Sequence, residues 1–354
     1  MKNPMLKKFK QATLQSLKST GMSALVEASR WRRQRLLILA YHGISRTDEH
    51  LWNGSQYMSV ELFRGRLAQL QRSRSVVLPL DEAIQRLYAN DLPDKSVALT
   101  FDDGTSDFYQ QAFPLLKEFQ FPATLYLTTF YSHYNRPIFD LMCAYVLWKG
   151  RAGLLDLQKI IGRAARFELQ SAAARDAACI ELRTFAEAEK MSAEEKDALL
   201  ASLAIELRVD YDQLVAQRTL HVLNPDEVRQ IAAGGIDVQL HTHRHRTPLD
   251  RELFLREIED NRKSVYEMTG REAAHFCYPS GAYDLRFLPW LDEAGIISAT
   301  TCDTGFASPA SNRLLLPRVI DTSALSAIEF ESWLTGVSAA LPRRRRRKLK
   351  EQAA

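Results

Sequence analysis

Two short clusters of polar side chains follow apolar, β-favouring stretches of the sequence. The first is the string LTFDDGTSD, in which Asp102 and Asp103 come directly after Phe101. Neighbouring side chains on extended backbone point to opposite sides, so the two carboxylates are not expected to do the same job. One can bind a cation while the other faces a substrate; the alternative is an Asx turn that caps a helix.

The second cluster is the string LHTHRHRTP, with His241, His243 and His245 after the run IDVQL. Positions 241 and 245 have the i, i+4 spacing that brings side chains together on one helical turn. Histidine nitrogen and carboxylate oxygen form a zinc-type ligand set, and three protein ligands leave a position open for water. The clusters therefore predict a metal site, with a structural histidine cluster as the alternative.

A further histidine, His42, ends the apolar run LLILAYH near the start of the chain. Taken alone, it is typical of a core or turn histidine, because a neutral imidazole has only one N–H that needs an acceptor.

Short apolar runs alternate with helical patterns along most of the chain. The β-favouring runs are LLILAY, SVVLPL, SVALTF, ATLYLTT, IDVQL, AHFCY and IISATT. Strands that alternate with helices indicate a parallel sheet, and this many repeats predict an α/β fold, a distorted (β/α) barrel of seven or eight strands. Chemistry in such barrels lies where strands end, as both clusters do.

The predicted domain organisation has three parts. Residues 1–35 form a basic, partly helical segment, and 36–325 form the barrel, interrupted by a helical insertion at 131–222. Residues 326–354 form a C-terminal helix and a basic tail.

Charge is distributed unevenly over the 354 residues, although the net charge is only +4. Residues 1–35 contribute +8 and residues 341–354 contribute +6, which leaves −10 for the body. This pattern favours peripheral contact with an anionic membrane, with an inert, solvated tail as the alternative. Nucleic acid is an unlikely partner.

The four cysteines are widely spaced and without a C-x-x-C pair, so neither a zinc ribbon nor a disulfide framework is indicated. No signal peptide and no apolar span of about 20 residues is evident, so we expect a cytoplasmic protein, with the inner membrane face as its site of contact.

The strings TFDDG and HTHRH, in this order, resemble the motifs of the polysaccharide deacetylases, carbohydrate esterase family 4 with its NodB-type domain. The resemblance continues through FPATLYLTT, FCYPSGAYD and LLLPRV and covers roughly residues 36–130 and 222–325. It implies that a divalent metal, expected to be Zn²⁺, is held by three residues, Asp103, His241 and His245. Asp102 would be the general base, and Thr242 would help to orient the histidine pair.

The resemblance also suggests roles for the string YPSG. The backbone N–H of Ser280 is the candidate donor to an oxyanion, and Tyr278 and Pro279 are expected substrate contacts. His243 falls in the variable part of its motif and is at most an orienting residue.

The sequence departs from the family pattern in two places. Many members have an arginine where Cys277 stands, so Arg318 is our candidate for the positive neighbour of Asp102; a substrate contact or a structural ion pair is the alternative. Many members also place a catalytic histidine on the final strand, but no histidine follows His275. In a circularly permuted branch that strand stands first and ends in Tyr-His, which makes His42 the candidate general acid.

Together these features predict a metal-dependent hydrolase that removes N-acetyl or related N-acyl groups from a glycan or a lipid-linked sugar. The alternative is an inactive glycan-binding or membrane-associated scaffold of the same fold. A glycosidase is disfavoured, because adjacent aspartates cannot flank a scissile bond at about 5 Å or more.

Overall fold

A ring of parallel β-strands forms the centre of the structure, a computed structural model that describes residues 4–340. Its seven strands, β1 to β7 in chain order, are Leu37–Tyr41, Ser96–Phe101, Thr124–Leu127, Asp237–Leu240, His275–Cys277, Ser298–Thr304 and Leu316–Ile320. They pair in the order β1, β7, β6, β5, β4, β3, β2, and β2 pairs again with β1 to close the ring. The predicted (β/α) barrel is confirmed, with seven strands.

One run that was predicted as a strand lies outside the ring. Of SVVLPL only Val76–Val77 is extended, and it pairs with the first residues of β2. Pro79 follows as the N-cap of a helix, and proline cannot donate to a strand ladder, so the extended segment stays short.

Alternate strand residues face two different surroundings. On β1, Leu37 and Leu39 join the core that the surrounding helices share, whereas Ile38 belongs to a separate interior cluster. On β2, Ala98 lies in the same interior cluster. The period of two along a strand therefore places Asp102, four residues further on, on the interior side.

Seventeen helices occur among the described residues. They are, as α1 to α17, Pro4–Ser19, Met22–Glu27, Arg30–Arg33, Glu49–Trp52, Val60–Arg72, Leu80–Tyr88, Phe113–Phe119, Phe139–Lys149, Gln158–Ile161, Ala172–Ala188, Ala193–Glu206, Tyr211–Ala216, Pro225–Ala233, Arg251–Thr269, Phe287–Glu293, Ala327–Thr335 and Val337–Ala340. A π-helical turn at Phe108–Ala112 and 3₁₀ turns at Phe130–His133 and Pro279–Gly281 complete the helical elements, and Gly43–Ile44 pairs with Tyr57–Met58.

The segment between β3 and β4 builds a second hydrophobic core. Helices α8 to α12 lie in the predicted insertion, 131–222, and bury side chains such as Leu182 around a cluster separate from the barrel core. The insertion is not wholly helical, as it was predicted to be, because Leu154–Asp156 and Arg166–Glu168 form two short antiparallel strands. Between them Gly162, at φ 68°, ends helix α9.

The N-terminal segment packs on the last described part of the chain. Leu14 of α1 is buried, and ion pairs join Lys10 to Glu329 at 2.9 Å and Lys18 to Glu331 at 2.8 Å. The predicted C-terminal helix corresponds to α16 and α17, while the basic tail from residue 341 lies outside the described residues. No helix within 4–340 combines the length and apolar composition that a membrane crossing requires.

Candidate metal and catalytic site

Strand β2 delivers two neighbouring carboxylates to its carboxyl end. The Asp102 N–H donates to the Tyr41 carbonyl of β1 at 2.9 Å, which continues the pairing of the two strands. Asp103 then takes a left-handed φ of 72°, and Gly104 follows at 78°. A Cβ at Gly104 would lie 2.3 Å from Leu127 Cδ1, so this close turn requires glycine. The turn leads the two carboxylates to different partners.

Asp102 is buried and bound by an arginine from the last barrel strand. Both terminal nitrogens of Arg318 donate to its carboxylate at 2.7 Å. Arg318 Nε donates to the Thr301 carbonyl, and Nη1 also donates to Thr100 Oγ1. Burial alone would raise the pKa of Asp102, but the charge and hydrogen bonds of Arg318 hold it below its usual value.

Asp103 faces two imidazoles. Its Oδ1 lies 3.2 Å from His241 Nε2 and 3.1 Å from His245 Nε2. Burial would raise the pKa of Asp103, but the hydrogen bonds and charges of the histidines hold it well below its usual value. The same contacts raise the pKa of His245, against the effect of its own burial.

These three side chains fit a metal ion. His241 Nδ1 lies 2.8 Å from the Cys277 carbonyl, which can only accept, so a neutral His241 turns the lone pair of Nε2 towards the Asp103 carboxylate. A metal ion, or a proton on Nε2, bridges two such atoms at this distance, and Asp103, His241 and His245 form a group that could hold a metal ion. Nitrogen and oxygen ligands of tetrahedral Zn²⁺ lie about 3.3 Å apart, close to the spacing observed here.

A second group of ligand-type atoms is less suited to a metal. Asp102, His241 and Cys277 also lie within reach of one another. However, Arg318 already occupies both oxygens of Asp102 and lies 3.0 Å from Cys277 Sγ. Burial raises the pKa of the Cys277 thiol well above its usual value, and a protonated thiol is a poor ligand.

The loop after β4, which carries His241 and His245, contains two residues in left-handed backbone. Thr242 has a φ of 61° and His245 a φ of 55°. The Thr242 hydroxyl accepts the N–H of Arg246 at 3.0 Å, so its contact is with the loop backbone beyond His245. The predicted orienting role of Thr242 would act through that backbone.

Helix α14 supports this loop with two buried polar residues that the sequence analysis missed. Asn261 accepts the His241 N–H at 2.9 Å and donates to the Leu127 carbonyl and to Thr129 Oγ1. Glu257 lies one turn earlier on the buried face of α14 and binds the backbone and side chain of Arg244. Polar residues four apart on the apolar face of an amphipathic helix were the available signal.

His243 turns away from the ligand cluster. Its Nδ1 lies 2.9 Å from Thr129 Oγ1, and its ring packs edge-on against Phe130. The ligand group of Asp103 and the other two histidines does not include it.

His42 reaches the site from β1, between the strands that carry Arg318 and Asp102. Its Nε2 lies 3.9 Å from Asp102 Oδ2, and 20% of its side chain is exposed. The next turn is fixed by Asp107, which accepts the Ile44 N–H at 2.6 Å. The structure therefore places an imidazole that solvent can reach beside the buried carboxylate.

The turn after β5 carries the remaining predicted residues. Ser280 is exposed and has a left-handed φ of 57°. Tyr278 is buried, with its hydroxyl donating to the Leu314 carbonyl at 3.0 Å, and Pro279 is buried as well. The Tyr278 and Pro279 side chains are thus enclosed in the protein, which leaves Ser280 as the accessible residue of the three.

A family model described as polysaccharide deacetylase matches residues 89–146 and 194–298, which include both motif clusters. A stretch of 32 residues is 59% identical to the poly-beta-1,6-N-acetyl-D-glucosamine N-deacetylase of Escherichia coli (strain K12). This stretch is 9% of the present chain and 5% of the length of that relative. The same values hold for the protein of that name from Escherichia coli O157:H7.

Solved structures share the fold over most of the chain. A deacetylase from Streptococcus pyogenes, PplD in complex with acetate, aligns with a TM-score of 0.55 at 20% identity, over 83% of this chain and 96% of its own. IcaB from Ammonifex degensii aligns with a TM-score of 0.55 at 17% identity, over 85% and 97%. The family model covers β2 and β4, the strands that carry the two clusters, and the solved deacetylases share the fold of the barrel around them, so the part of the chain that carries both clusters belongs to the polysaccharide deacetylase family.

Proposed function

We propose that this chain is a metal-dependent hydrolase that removes N-acetyl or related N-acyl groups from a glycan or a lipid-linked sugar. The main support for this proposal is that two adjacent carboxylates have different partners. Asp103 faces two imidazoles, whereas Asp102 is held ionised by Arg318.

The metal would be held by Asp103, His241 and His245, with Zn²⁺ as the expected ion. When bound, it would lower the pKa of a water molecule towards neutrality and polarise the amide carbonyl. The hydrogen bond from His241 to the Cys277 carbonyl would orient the ligand imidazole, as such outer partners do in metal sites.

Asp102 would act as the general base. Its low pKa keeps it ionised at neutral pH, so it can accept a proton from the attacking water. Arg318 takes one lone pair of each carboxylate oxygen, and a second lone pair remains on each.

His42 would act as the general acid that protonates the departing sugar amine. It lies beside Asp102 but on a different strand, and it is partly exposed, as a group that meets substrate must be. The Ser280 N–H would contribute to holding the oxyanion, because its turn follows β5 at the same end of the barrel.

The first substrate to test is an N-acetylglucosamine polymer, since the curated relatives are named for one. We further propose a cytoplasmic protein that contacts the inner membrane face; none of the four cysteines forms a disulfide, as expected in a reducing compartment. A glycan-binding scaffold without catalysis is the competing function.

The decisive experiment combines metal content with acid release. Purified protein is stripped with a chelator, reloaded with Zn²⁺ and incubated with poly-β-1,6-N-acetylglucosamine oligomers, and the released acetate is measured. We expect Asp102→Asn to retain zinc without turnover, His241→Ala to lose zinc, and the surface variant Asp284→Asn to resemble the wild type. If folded, metal-loaded protein binds sugars but releases neither acetate nor formate from polymeric or lipid-linked acceptors, the scaffold function replaces the enzyme.

A further inference from the structure

The inner side of helix α1 packs against the rest of the protein. Leu14 is 1% exposed, and the ion pairs of Lys10 and Lys18 tie the helix to α16. Lys7 Nζ also donates to the Ala324 carbonyl at 2.9 Å. These contacts fix which way the rest of the helix faces.

The outer side of the same helix exposes large apolar residues. Leu6 is 67% exposed and Phe9 is 72% exposed, and Met5 is exposed beside them. At about 100° per residue, positions 5, 6 and 9 fall within one arc of about 100°. Neighbouring helix α2 adds an exposed Leu25. Contiguous exposed apolar side chains of this size mark an interaction surface.

Two exposed cations of the N-terminal segment, one of them on α1 itself, have no acidic partner among the described residues. Lys8 and Arg30 are exposed, and among residues 4–340 no acid pairs with either of them. Glu27 is the only acid between positions 4 and 33, and it is already paired with Lys95 at 2.7 Å.

The last described helices end beside the N-terminal segment. A Cβ on Gly336 would lie 3.0 Å from the Trp31 ring of α3, so α16 ends beside the N-terminal segment. The described chain stops at Ala340, and the run RRRRRKLK follows at 343–350. The described part of the chain therefore ends next to the helices that precede β1.

From this combination we propose that the outer face of α1, centred on Leu6 and Phe9, docks on an anionic lipid bilayer. An apolar stripe flanked by lysine and arginine inserts its side chains at the acyl boundary while the cations contact acidic headgroups. A protein partner or a second copy would also match the apolar arc; a bilayer is favoured because one surface supplies both an apolar layer for the arc and acidic headgroups for the cations.

The first turns of α1 lie near the catalytic end of the barrel. Ala324, which anchors α1, lies in the loop that follows the carboxyl end of β7. In the same loop Ser323 donates to the Tyr57 carbonyl, and the Tyr57 ring lies against Gly43, next to His42. This position suits a substrate held at a membrane, but the docking surface itself does not depend on the proposed function.

The test is co-sedimentation of the full chain with vesicles of phosphatidylglycerol and phosphatidylcholine, at low and high salt. We expect binding that salt weakens, and a loss of about tenfold or more in the Leu6→Ser/Phe9→Ser double variant. Ile205→Ser, which removes an equally exposed apolar side chain from the insertion, is the matched control and should bind as the wild type does.

Wild-type binding by the double variant, or equal binding to pure phosphatidylcholine, would overturn the proposal. Analytical ultracentrifugation provides the third outcome: a wild-type dimer that the double variant converts to monomer would assign the face to a second copy. Acetate release from soluble oligomers is measured in parallel. A chain that binds vesicles without releasing acetate contradicts the proposed function and leaves the docking surface intact.

Discussion

At the scale of single residues, the site depends on giving two adjacent aspartates opposite environments. Asp102 follows the strand period into the interior and meets Arg318, whereas Asp103 turns through positive φ towards the histidines. Burial by itself favours the protonated form of both aspartates, because it raises the pKa of each carboxyl group. Each therefore depends on its own cationic or hydrogen-bonding partner.

Replacing Arg318 by glutamine should raise the pKa of Asp102, since the arginine charge is what lowers it. The acidic limb of the pH–activity profile should then move to higher pH, and activity at neutral pH should fall by about tenfold or more. Arg318→Lys keeps a charge but loses the paired geometry and should shift the limb less. Because breaking a buried ion pair costs about 3–5 kcal/mol, circular dichroism must accompany the profile. Arg313→Gln removes a surface ion pair and serves as control; an acidic limb that stays in place in Arg318→Gln contradicts the assignment.

Replacing His42 by alanine should separate metal binding from turnover. The ligand group lies on β2 and β4, so zinc content should stay at the wild-type level. Loss of a general acid should reduce kcat by about 10²–10⁴-fold. Zinc analysis and acetate release on the same sample measure both quantities. Near-normal turnover would return His42 to a structural role.

At the scale of elements, the sequence predicts well those features that depend only on neighbouring residues, such as the position of a strand and the sides to which its side chains point. Apolar runs predict β1 and β2, and the period of two separates Asp102 from Asp103. The length of the Val76–Val77 strand and the two strands in the insertion were missed, because proline and glycine shorten or break patterns that apolar content alone would continue.

Tertiary partners are harder to predict, because the sequence around a residue does not indicate which distant residue it will contact. Arg318 and Asp102 stand 216 positions apart, and only the missing arginine at Cys277 suggested the pairing. Asn261 and Glu257 are polar residues on the apolar face of α14, a signal that was present and not used. Their partners, on the loops after β3 and β4, become visible only once the barrel is closed.

The Asn261 side chain joins the ends of both β3 and β4 to helix α14, so its loss should loosen the histidine loop. We expect Asn261→Ala to weaken zinc binding by about 10–100-fold. It should also lower the free energy of unfolding by about 1–3 kcal/mol, because buried backbone groups lose their partner. Competitive zinc titration and urea unfolding give the two values. Lys263→Ala, on the exposed side of the same helix, should change neither the zinc affinity nor the free energy of unfolding. Unaltered zinc affinity in Asn261→Ala would show that the histidine loop keeps its conformation without Asn261.

At the scale of the whole molecule, buried charges tie distant parts of the chain together. Arg66 of α5 donates to Asp321 after β7 at 2.9 Å, with both side chains almost inaccessible. Burial raises the pKa of Asp321 to about 6, although Arg66 opposes the shift. Asp107 is a stronger case, because burial raises its pKa to about 7, against the effect of the hydrogen bond from the Ile44 N–H. The stability of the barrel is consequently expected to depend on pH near neutrality.

Asp107→Asn tests this dependence without removing the acceptor for the Ile44 N–H. The pKa of Asp107 rises from 3.8 in the unfolded chain to about 7 in the fold. Its protonated form therefore stabilises the fold fully below pH 3.8, and this contribution is lost as the pH rises through about 7. Relative to the wild type, Asp107→Asn should therefore gain about 2–3 kcal/mol in unfolding free energy between about pH 5 and pH 8. Urea unfolding of both proteins at each pH measures the difference. Asp284→Asn is the control, because the pKa of Asp284 is lowered to about 2 and that side chain stays ionised throughout this range. A difference between Asp107→Asn and the wild type that stays constant with pH would show that Asp107 is already ionised in the fold, and that the turn next to His42 is held by a charged carboxylate.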